Sequence, residues 1–142
     1  MRILLALPLV ALLSLTGCSG GKGPVTVSGK LVLPNNVTLA DNDNVTISFL
    51  PEEKADLPAV AVFSKEGGSF ECKTTVSKAK YNITVRIEPY PGSPNAEKRA
   101  GSFEALNNAF SSRDSTKLKY ETTADSKQSI TLDLTAGTVT KN

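Results

Sequence analysis

Two cysteines and fourteen acidic residues are the side chains of this 142-residue chain with the greatest capacity for chemistry. The chain contains no histidine, which excludes the Ser-His-Asp and Cys-His arrangements of nucleophilic catalysis and removes the commonest zinc ligand. A thiol can act as a nucleophile, a metal ligand or a disulfide partner, or it can be modified. The residues around Cys18 and Cys72 must decide between these roles.

The residues before Cys18 have the layout of a secretory signal. Arg2 supplies a positive charge, an apolar run interrupted by Pro8 covers residues 3–13, and small or weakly polar residues follow. A helix needs roughly 20 apolar residues to cross a bilayer. The run is much shorter than that, so the sequence predicts a signal peptide over residues 1–17 and not a permanent transmembrane helix.

The four residues Leu15-Thr16-Gly17-Cys18 resemble the lipobox of bacterial lipoproteins. The resemblance implies that the Cys18 sulfur carries diacylglycerol, that the peptide is cut just before Cys18, and that the new amine can be acylated. Two acyl chains hold a protein on a membrane, whereas one chain gives only reversible attachment. We therefore expect a lipid-anchored, extracytoplasmic protein of the cell membrane or the outer membrane. The alternative is a plain secretory signal with an incidental cysteine.

The remaining chain is predicted to be a short tether and one domain. Residues 18–24 follow the cut with Gly and Ser, which favour a flexible linker, and residues 25–142 have the length of a single domain. The formal net charge of +2 falls by one when Arg2 leaves with the signal. So balanced a chain has no electrostatic footprint for nucleic acid, and no cofactor is expected.

Alternation of apolar and polar residues dominates the domain and predicts strands with one buried face. A tight hairpin is expected at Glu66-Gly67-Gly68, because its glycines permit positive φ. We therefore predict an all-β protein, an antiparallel β-sandwich or barrel of about seven strands. The predicted strands include residues 25–33, 44–50, 59–64, 69–74, 80–88 and 129–134.

Cys72 lies in the predicted strand that also contains Phe70. The two residues alternate with the charged Glu71 and Lys73, so Cys72 should face the core beside Phe70. A packed structural cysteine is the favoured interpretation, since a lipidated Cys18 leaves no partner for an intrachain disulfide.

One segment departs from the strand pattern. Ser93 and Pro94 match the N-cap and first position of a helix, and the sequence predicts a helix over about residues 94–110. Gly101 weakens it by about 1 kcal/mol relative to Ala, so the helix should depend on packing. The predicted apolar stripe contains Ala96, Ala100, Phe103, Leu106 or Asn107, and Phe110.

The strand order resembles the carboxypeptidase-regulatory-like, or transthyretin-like, β-sandwich domain. The residues that carry the resemblance are Val27-Ser28-Gly29-Lys30-Leu31, the segment 45–51 ending in Phe49-Leu50-Pro51, Gly67-Gly68-Ser69-Phe70, and Tyr81-Asn82-Ile83-Thr84-Val85. Together with the lipobox and the tail from Tyr120 to Gly137, the chain looks like small surface lipoproteins of planctomycete-type bacteria. The resemblance implies a noncatalytic module for adhesion or assembly and supplies no active-site residues.

The run Asp41-Asn42-Asp43-Asn44 offers oxygen ligands that suit calcium. With Asp41 first in an EF-hand loop, however, Val45 and Thr46 fall at the fifth and sixth positions, where a ligand and a glycine are needed. A solvated Asx turn is therefore favoured and no metal site is predicted. A calcium-stabilised adhesion module stays as an alternative.

A second alternative is a small envelope hydrolase that uses two carboxylates. Glycoside hydrolysis requires a pair of carboxyl groups about 5–10 Å apart, and sequence spacing does not reveal such a pair. The acidic residues considered are Glu52, Glu53, Asp56, Glu88 and Glu97. With no recognisable catalytic set, we predict that the protein is not an enzyme.

Tyr90, in Pro89-Tyr90-Pro91, is the best candidate for contact with a ligand. The partner would be an envelope protein or a polysaccharide. The alternative is that Tyr90 packs under its own proline loop. The expected function is accordingly a binding or structural role within the cell envelope.

Overall fold

The computed structural model describes residues 21–142, apart from the side chain of Thr74, and it is mostly β with one helix. A short 3-10 turn at Glu66–Gly68 joins two of the strands. The elements in chain order are β1 (Pro24–Val32), β2 (Asn44–Pro51), β3 (Ala59–Ser64), β4 (Ser69–Val76), β5 (Lys80–Glu88), α1 (Ala96–Phe110), β6 (Lys119–Glu121), β7 (Lys127–Asp133) and β8 (Thr138–Lys141).

The strands form one sheet in the order β6-β5-β2-β3-β4-β1-β7-β8, which rolls up into a nearly closed barrel. The sheet turns at β3, where residues 59–61 pair with β2 and residues 62–64 pair with β4. Strands β6 and β8, at the two ends of the order, approach each other. Residues 21–142 therefore enclose one core.

The topology differs in two respects from the sheet that alternation predicts. Residues 21–142 contain eight strands where about seven were expected, and β6 and β8 are too short to show a clear period. The pair β1 and β7 is parallel, from Thr26 opposite Lys127 to Val32 opposite Asp133, whereas the expectation was antiparallel throughout. Alternation reports which face of a strand is buried, and it does not fix the direction of one particular neighbour.

The predicted inward faces of the strands are buried, whereas β5 also buries Asn82 and Thr84 of its predicted outward face. Tyr81, Ile83, Val85 and Ile87 of β5 are all buried, and the equivalent residues of β1 and β2 join them in the same core. The predicted orientation of Cys72 is also confirmed, because its side chain is fully buried in the cluster that contains Phe70. The hairpin glycines Gly67 and Gly68 have φ of 72° and 62°, as the predicted turn requires.

The start of the helix differs from the prediction. Asn95, in the left-handed conformation, precedes the helix without a side-chain cap, and Ala96 is the first helical residue. Ser93, which was expected to cap the helix, instead donates a 2.8 Å hydrogen bond from its hydroxyl to the carbonyl oxygen of Tyr90. The Ser93 hydroxyl is therefore engaged in the tight turn after Tyr90 and does not cap the first N–H groups of the helix.

The helix packs on the barrel through Phe103 and Phe110, two turns apart, which are its buried residues. Leu106 packs against the same core, whereas Ala100 of the predicted stripe is exposed. Phe110 lies beside Gly137, in the turn between β7 and β8. The helix thus reaches from β5 to the β7–β8 turn. The three residues of β6 are too few to cover this part of the core.

The barrel has two ends that are distinguished by the strand register. At the entry end, β1 begins at Pro24 opposite Val76, and β2 finishes at Pro51 opposite Tyr81. At the far end, β2 begins at Asn44 opposite Glu88. The eight residues of β2 separate the two ends by roughly 26 Å at about 3.3 Å per residue.

Within residues 21–142 there is no helix with the length and apolar character needed to cross a membrane.

Candidate functional site

A pocket of about 490 Å³ lies at the far end of the barrel, between the start of β2, the end of β5 and the helix. The register that places Asn44 opposite Glu88 brings these two strand ends together. The helix supplies the third wall. The pocket is lined by Asn42, Asn44, Ile87, Glu88, Pro89, Tyr90, Pro91, Ala100 and Asn107.

Tyr90 presents its ring at the mouth of this pocket, with 53% of the residue exposed. The turn that follows it is closed by Ser93, whose backbone N–H and hydroxyl both donate to the Tyr90 carbonyl oxygen, at 2.9 and 2.8 Å. The ring lies against Gly92, where a β-carbon would stand only 3.0 Å from Tyr90 Cε1. Tyr90 therefore does pack on its own loop, as the alternative interpretation holds, yet half of it remains accessible.

The floor of the pocket is set by Asn107. Its Nδ2 donates to the carbonyl oxygen of Ile87, and its Oδ1 accepts from the Ile87 N–H, both at 2.9 Å. This carboxamide makes the two bonds that a neighbouring strand would have made. The residue appeared in the sequence only as an alternative to Leu106 on an apolar stripe, so its pairing role was missed.

Asp43 and Arg99 join the loop before β2 to the first turns of the helix. The side chain of Asp43 is fully buried, and its Oδ2 accepts hydrogen bonds from the Ala40 N–H, at 2.8 Å, and from Arg99. The guanidinium of Arg99 also lies 5.7 Å from the centre of the Phe103 ring, a cation–π contact. Arg99 was not among the residues singled out in the sequence.

The Asp41–Asn44 run does not form a calcium loop in the fold. Arg99 supplies to Asp43 the positive charge that the calcium hypothesis assigned to a metal ion, and Asp41 is exposed. Over the chain from residue 21 onward, no three His, Cys, Asp or Glu side chains come close enough together to hold a metal ion.

Two of the acidic residues considered for hydrolysis, Glu53 and Asp56, come within the spacing of a hydrolytic pair, but the ammonium group of Lys22 is bound to both carboxylates. Glu53 and Asp56 both bind Lys22, whose Nζ lies 2.6 Å from the first and 2.7 Å from the second. The hydrogen bond that Lys22 donates to Asp56, and next the one that it donates to Glu53, raise the pKa of Lys22. Glu88 pairs with Arg86 at 2.8 Å. These pairings are typical of solvated ion pairs.

One further depression contains two of the carboxylates. Glu52 and Glu121 both line it, and Lys80 lies between them because it pairs with Glu121 and accepts a backbone hydrogen bond from Glu52. Glu52 is also 3.9 Å from the ammonium group of Lys119. Signs of charge thus alternate across three neighbouring strands, an arrangement that stabilises a sheet surface. Glu97, the last of the acidic residues considered, lies exposed in the first turn of the helix.

A shallow groove of about 850 Å³, larger than the Tyr90 pocket, lies on the outer face of β3, β4, β1 and β7. Val60 and Val62 form its apolar part, and Lys73 and Glu71, 2.9 Å apart, form its charged part. The groove contains Phe70 as its only aromatic lining residue, and Phe70 is buried. The Tyr90 pocket is the stronger candidate because it combines an accessible ring with amide and carboxylate groups.

The predicted lipidation residue Cys18 and the lipobox residues Leu15, Thr16 and Gly17 lie outside the described residues. The structure does show where the chain enters the body. Pro24, assigned to the tether by the sequence, is the first residue of β1.

Fold and site together define a small, mostly β domain in which one helix packs on a nearly closed barrel and borders an aromatic pocket. The chain matches no protein-family model, no curated protein and no solved structure.

Proposed function

We propose that this protein is a lipid-anchored, extracytoplasmic module of the cell envelope that binds polysaccharide in the pocket beside Tyr90. The observation that carries the proposal is the placement of two features at opposite ends of the barrel. The chain that follows the lipobox joins the body at the entry end, and the pocket lies at the far end. A module anchored through Cys18 would therefore direct its pocket away from the membrane.

The chemistry of the pocket supports a carbohydrate ligand. An exposed tyrosine offers a flat apolar face together with a hydroxyl group, a surface on which a sugar ring can stack. Asn42 and Asn44 bring amide donors and acceptors, and Glu88 brings a carboxylate. These are the partners that sugar hydroxyl groups need. The balanced net charge of the chain favours neutral polysaccharide over nucleic acid.

We also propose that the barrel is a variant of the transthyretin-like, or Ig-like, β-sandwich. The turn of the sheet at β3 supports this assignment, because it divides the strands into a half formed by β5 and β2 and a half formed by β4, β1 and β7. The motif Val27-Ser28-Gly29-Lys30-Leu31 lies on β1, as the resemblance requires. The helix is then an insertion between two strands of the common core.

The anchor is tested by mass spectrometry of the protein extracted from membranes of a bacterium that processes lipoproteins. We expect a mature chain that begins at Cys18 and carries diacylglycerol and acyl groups. The variant C18S should be recovered from the soluble fraction. A mature N-terminus at Ser19 or later, or an unmodified Cys18 in membrane-bound protein, would refute the anchor.

The ligand is tested by calorimetric titration with purified envelope polysaccharides. Loss of the accessible ring in Y90A should weaken binding by about 1–2 kcal/mol, or roughly tenfold. The matched control is V62A, which removes an exposed side chain outside the pocket and should bind normally. Equal affinities of Y90A and V62A would exclude this pocket. Capture of an envelope protein without any polysaccharide binding would exclude the carbohydrate assignment.

A further inference from the structure

The chain is attached to the body of the protein before β1 begins. Lys22 binds Glu53 and Asp56, on the loop between β2 and β3, through its ammonium group. Gly23 and Ser77 are joined by two hydrogen bonds. Gly23 N–H donates to the Ser77 hydroxyl at 2.9 Å, and Ser77 N–H donates to the Gly23 carbonyl oxygen at 2.8 Å. The chain therefore follows the surface of the entry end from Lys22 onward.

The distance from the lipobox to this attachment is short. Only four residue steps separate Cys18 from Lys22, and an extended chain covers at most about 14 Å in four steps. If acyl chains on Cys18 lie in a bilayer, the entry end of the barrel must stay close to the lipid headgroups. A barrel that stood free of the membrane would need a longer tether.

Leu57 lies at this end and is unusually exposed. It follows Asp56, the partner of Lys22, and 82% of the residue is open to solvent, the largest value among the large exposed apolar residues from Gly21 onward. A single exposed leucine needs no explanation on most surfaces. This one, however, is next to the residue that anchors the incoming chain.

We infer that the entry end docks on the lipid bilayer and that Leu57 inserts into its interface. The inference rests on the proposed lipidation of Cys18. It adds an orientation to the anchor, because the Lys22 contacts and the short chain hold the β2–β3 loop against the membrane. Lys22 is paired with two carboxylates, so this cluster carries one net negative charge and its contact with the bilayer does not require anionic lipids.

The absence of tryptophan from the chain makes this orientation measurable with a single introduced indole. The variant L57W places the indole at the predicted contact. The matched control V62W places it on β3, the strand that follows this loop, at a residue that is 78% exposed and lies three residues beyond Ala59, about 10 Å farther from the entry end. Both lipidated full-length proteins are inserted into phosphatidylcholine vesicles with plain or brominated acyl chains, and indole emission is recorded.

The expected result is that L57W emission shifts to the blue and is mostly lost in brominated vesicles, while V62W emission is unchanged. Unquenched L57W in a protein whose mass shows lipidated Cys18 would overturn the orientation and leave the proposed anchor intact. Equal quenching of the two variants would mean that the barrel lies on its side, which also contradicts the inference. An unmodified Cys18 would remove the anchor and the orientation together.

Discussion

The carboxamide of Asn107 is paired with the backbone of Ile87 through two hydrogen bonds of 2.9 Å, one to the N–H and one to the carbonyl oxygen. Strand β6 pairs only with residues 80–82 of β5. One helical side chain therefore satisfies backbone groups near the end of β5 that no strand reaches. This relationship makes the helix part of the sheet's hydrogen bonding and explains why an insertion between strands is held so closely.

Replacement of Asn107 by alanine should destabilise the fold. The variant N107A leaves the N–H and carbonyl groups of the buried Ile87 without these partners, and each unsatisfied buried group costs about 1–3 kcal/mol. We expect the free energy of unfolding in urea to fall by about 2–4 kcal/mol. The control N108A changes the next residue, which is exposed, and should have little effect. An equal effect of both variants would contradict the pairing role.

The ion pair of Asp43 and Arg99 predicts a strong dependence of stability on both partners. The variant R99A leaves a fully buried carboxylate without its cation, and breaking a buried pair costs about 3–5 kcal/mol. K98A, at an exposed neighbour on the helix, is the control. A double-mutant cycle with D43N measures the coupling. Additive effects of R99A and D43N would show that the pair is not a unit.

Replacement of Gly29 and of Gly101 by alanine should change the stability of the protein in opposite directions. A β-carbon on Gly29 would stand 1.9 Å from the carbonyl oxygen of Ile130 and 2.9 Å from the Phe70 ring, whereas one on Gly101 would meet nothing within 4 Å. G29A should therefore destabilise the protein by about 3 kcal/mol or more, because it forces β1 from β7. G101A should stabilise it by about 1 kcal/mol through helix propensity. Thermal unfolding of both variants checks the signs, and tolerance of G29A would contradict the close approach of β1 and β7.

Stability should decline at alkaline pH. Burial raises the pKa of Tyr81, and burial together with the charge of Asp125 raises the pKa of Tyr120. A raised folded-state pKa contributes stability that is complete below the unfolded value of about 10 and is lost as the pH rises through the folded value. Urea midpoints measured from about pH 8 to pH 11 should therefore fall above pH 10.

The variant Y120F is the control for this pH dependence. It removes one of the two titrating groups and should make the alkaline decline shallower. It also removes the 2.5 Å hydrogen bond to Gln128, so its stability at neutral pH should be lower by about 1 kcal/mol. An alkaline decline of the same slope in Y120F would show that Tyr120 does not contribute to it.

Local pattern predicted most of the secondary structure. Local sequence located the strands β1 to β5 and most of β7, together with the inward face of Cys72, because the period of two is a property of each strand by itself. The hairpin was located by the residue type of its glycines. The helix was predicted as well, although its start was misplaced at Ser93. The start of a helix depends on which groups accept hydrogen bonds from its first N–H groups. Ser93 does not cap the helix because its hydroxyl bonds to the carbonyl oxygen of Tyr90.

The sequence predicted one residue of the candidate site, Tyr90. Tyr90 was identified because it is an aromatic residue between two prolines, a feature visible without any partner. Asn107 and Arg99 were missed because their roles depend on Ile87 and Asp43, which the fold brings to them from other elements.

From the amino-acid order alone came the predicted leader and lipobox, the inward faces of the strands, and the mostly β class of the fold, since each of these depends on residues that are neighbours in the chain. Tertiary structure decided the parallel pairing of β1 with β7, the packing of the helix against β5, and the position of the Tyr90 pocket opposite the point of entry. The physical reason is that a strand's pattern sets which side it buries but leaves its partner open. Partners are chosen by packing between segments that are far apart in sequence, such as Gly29 against Ile130.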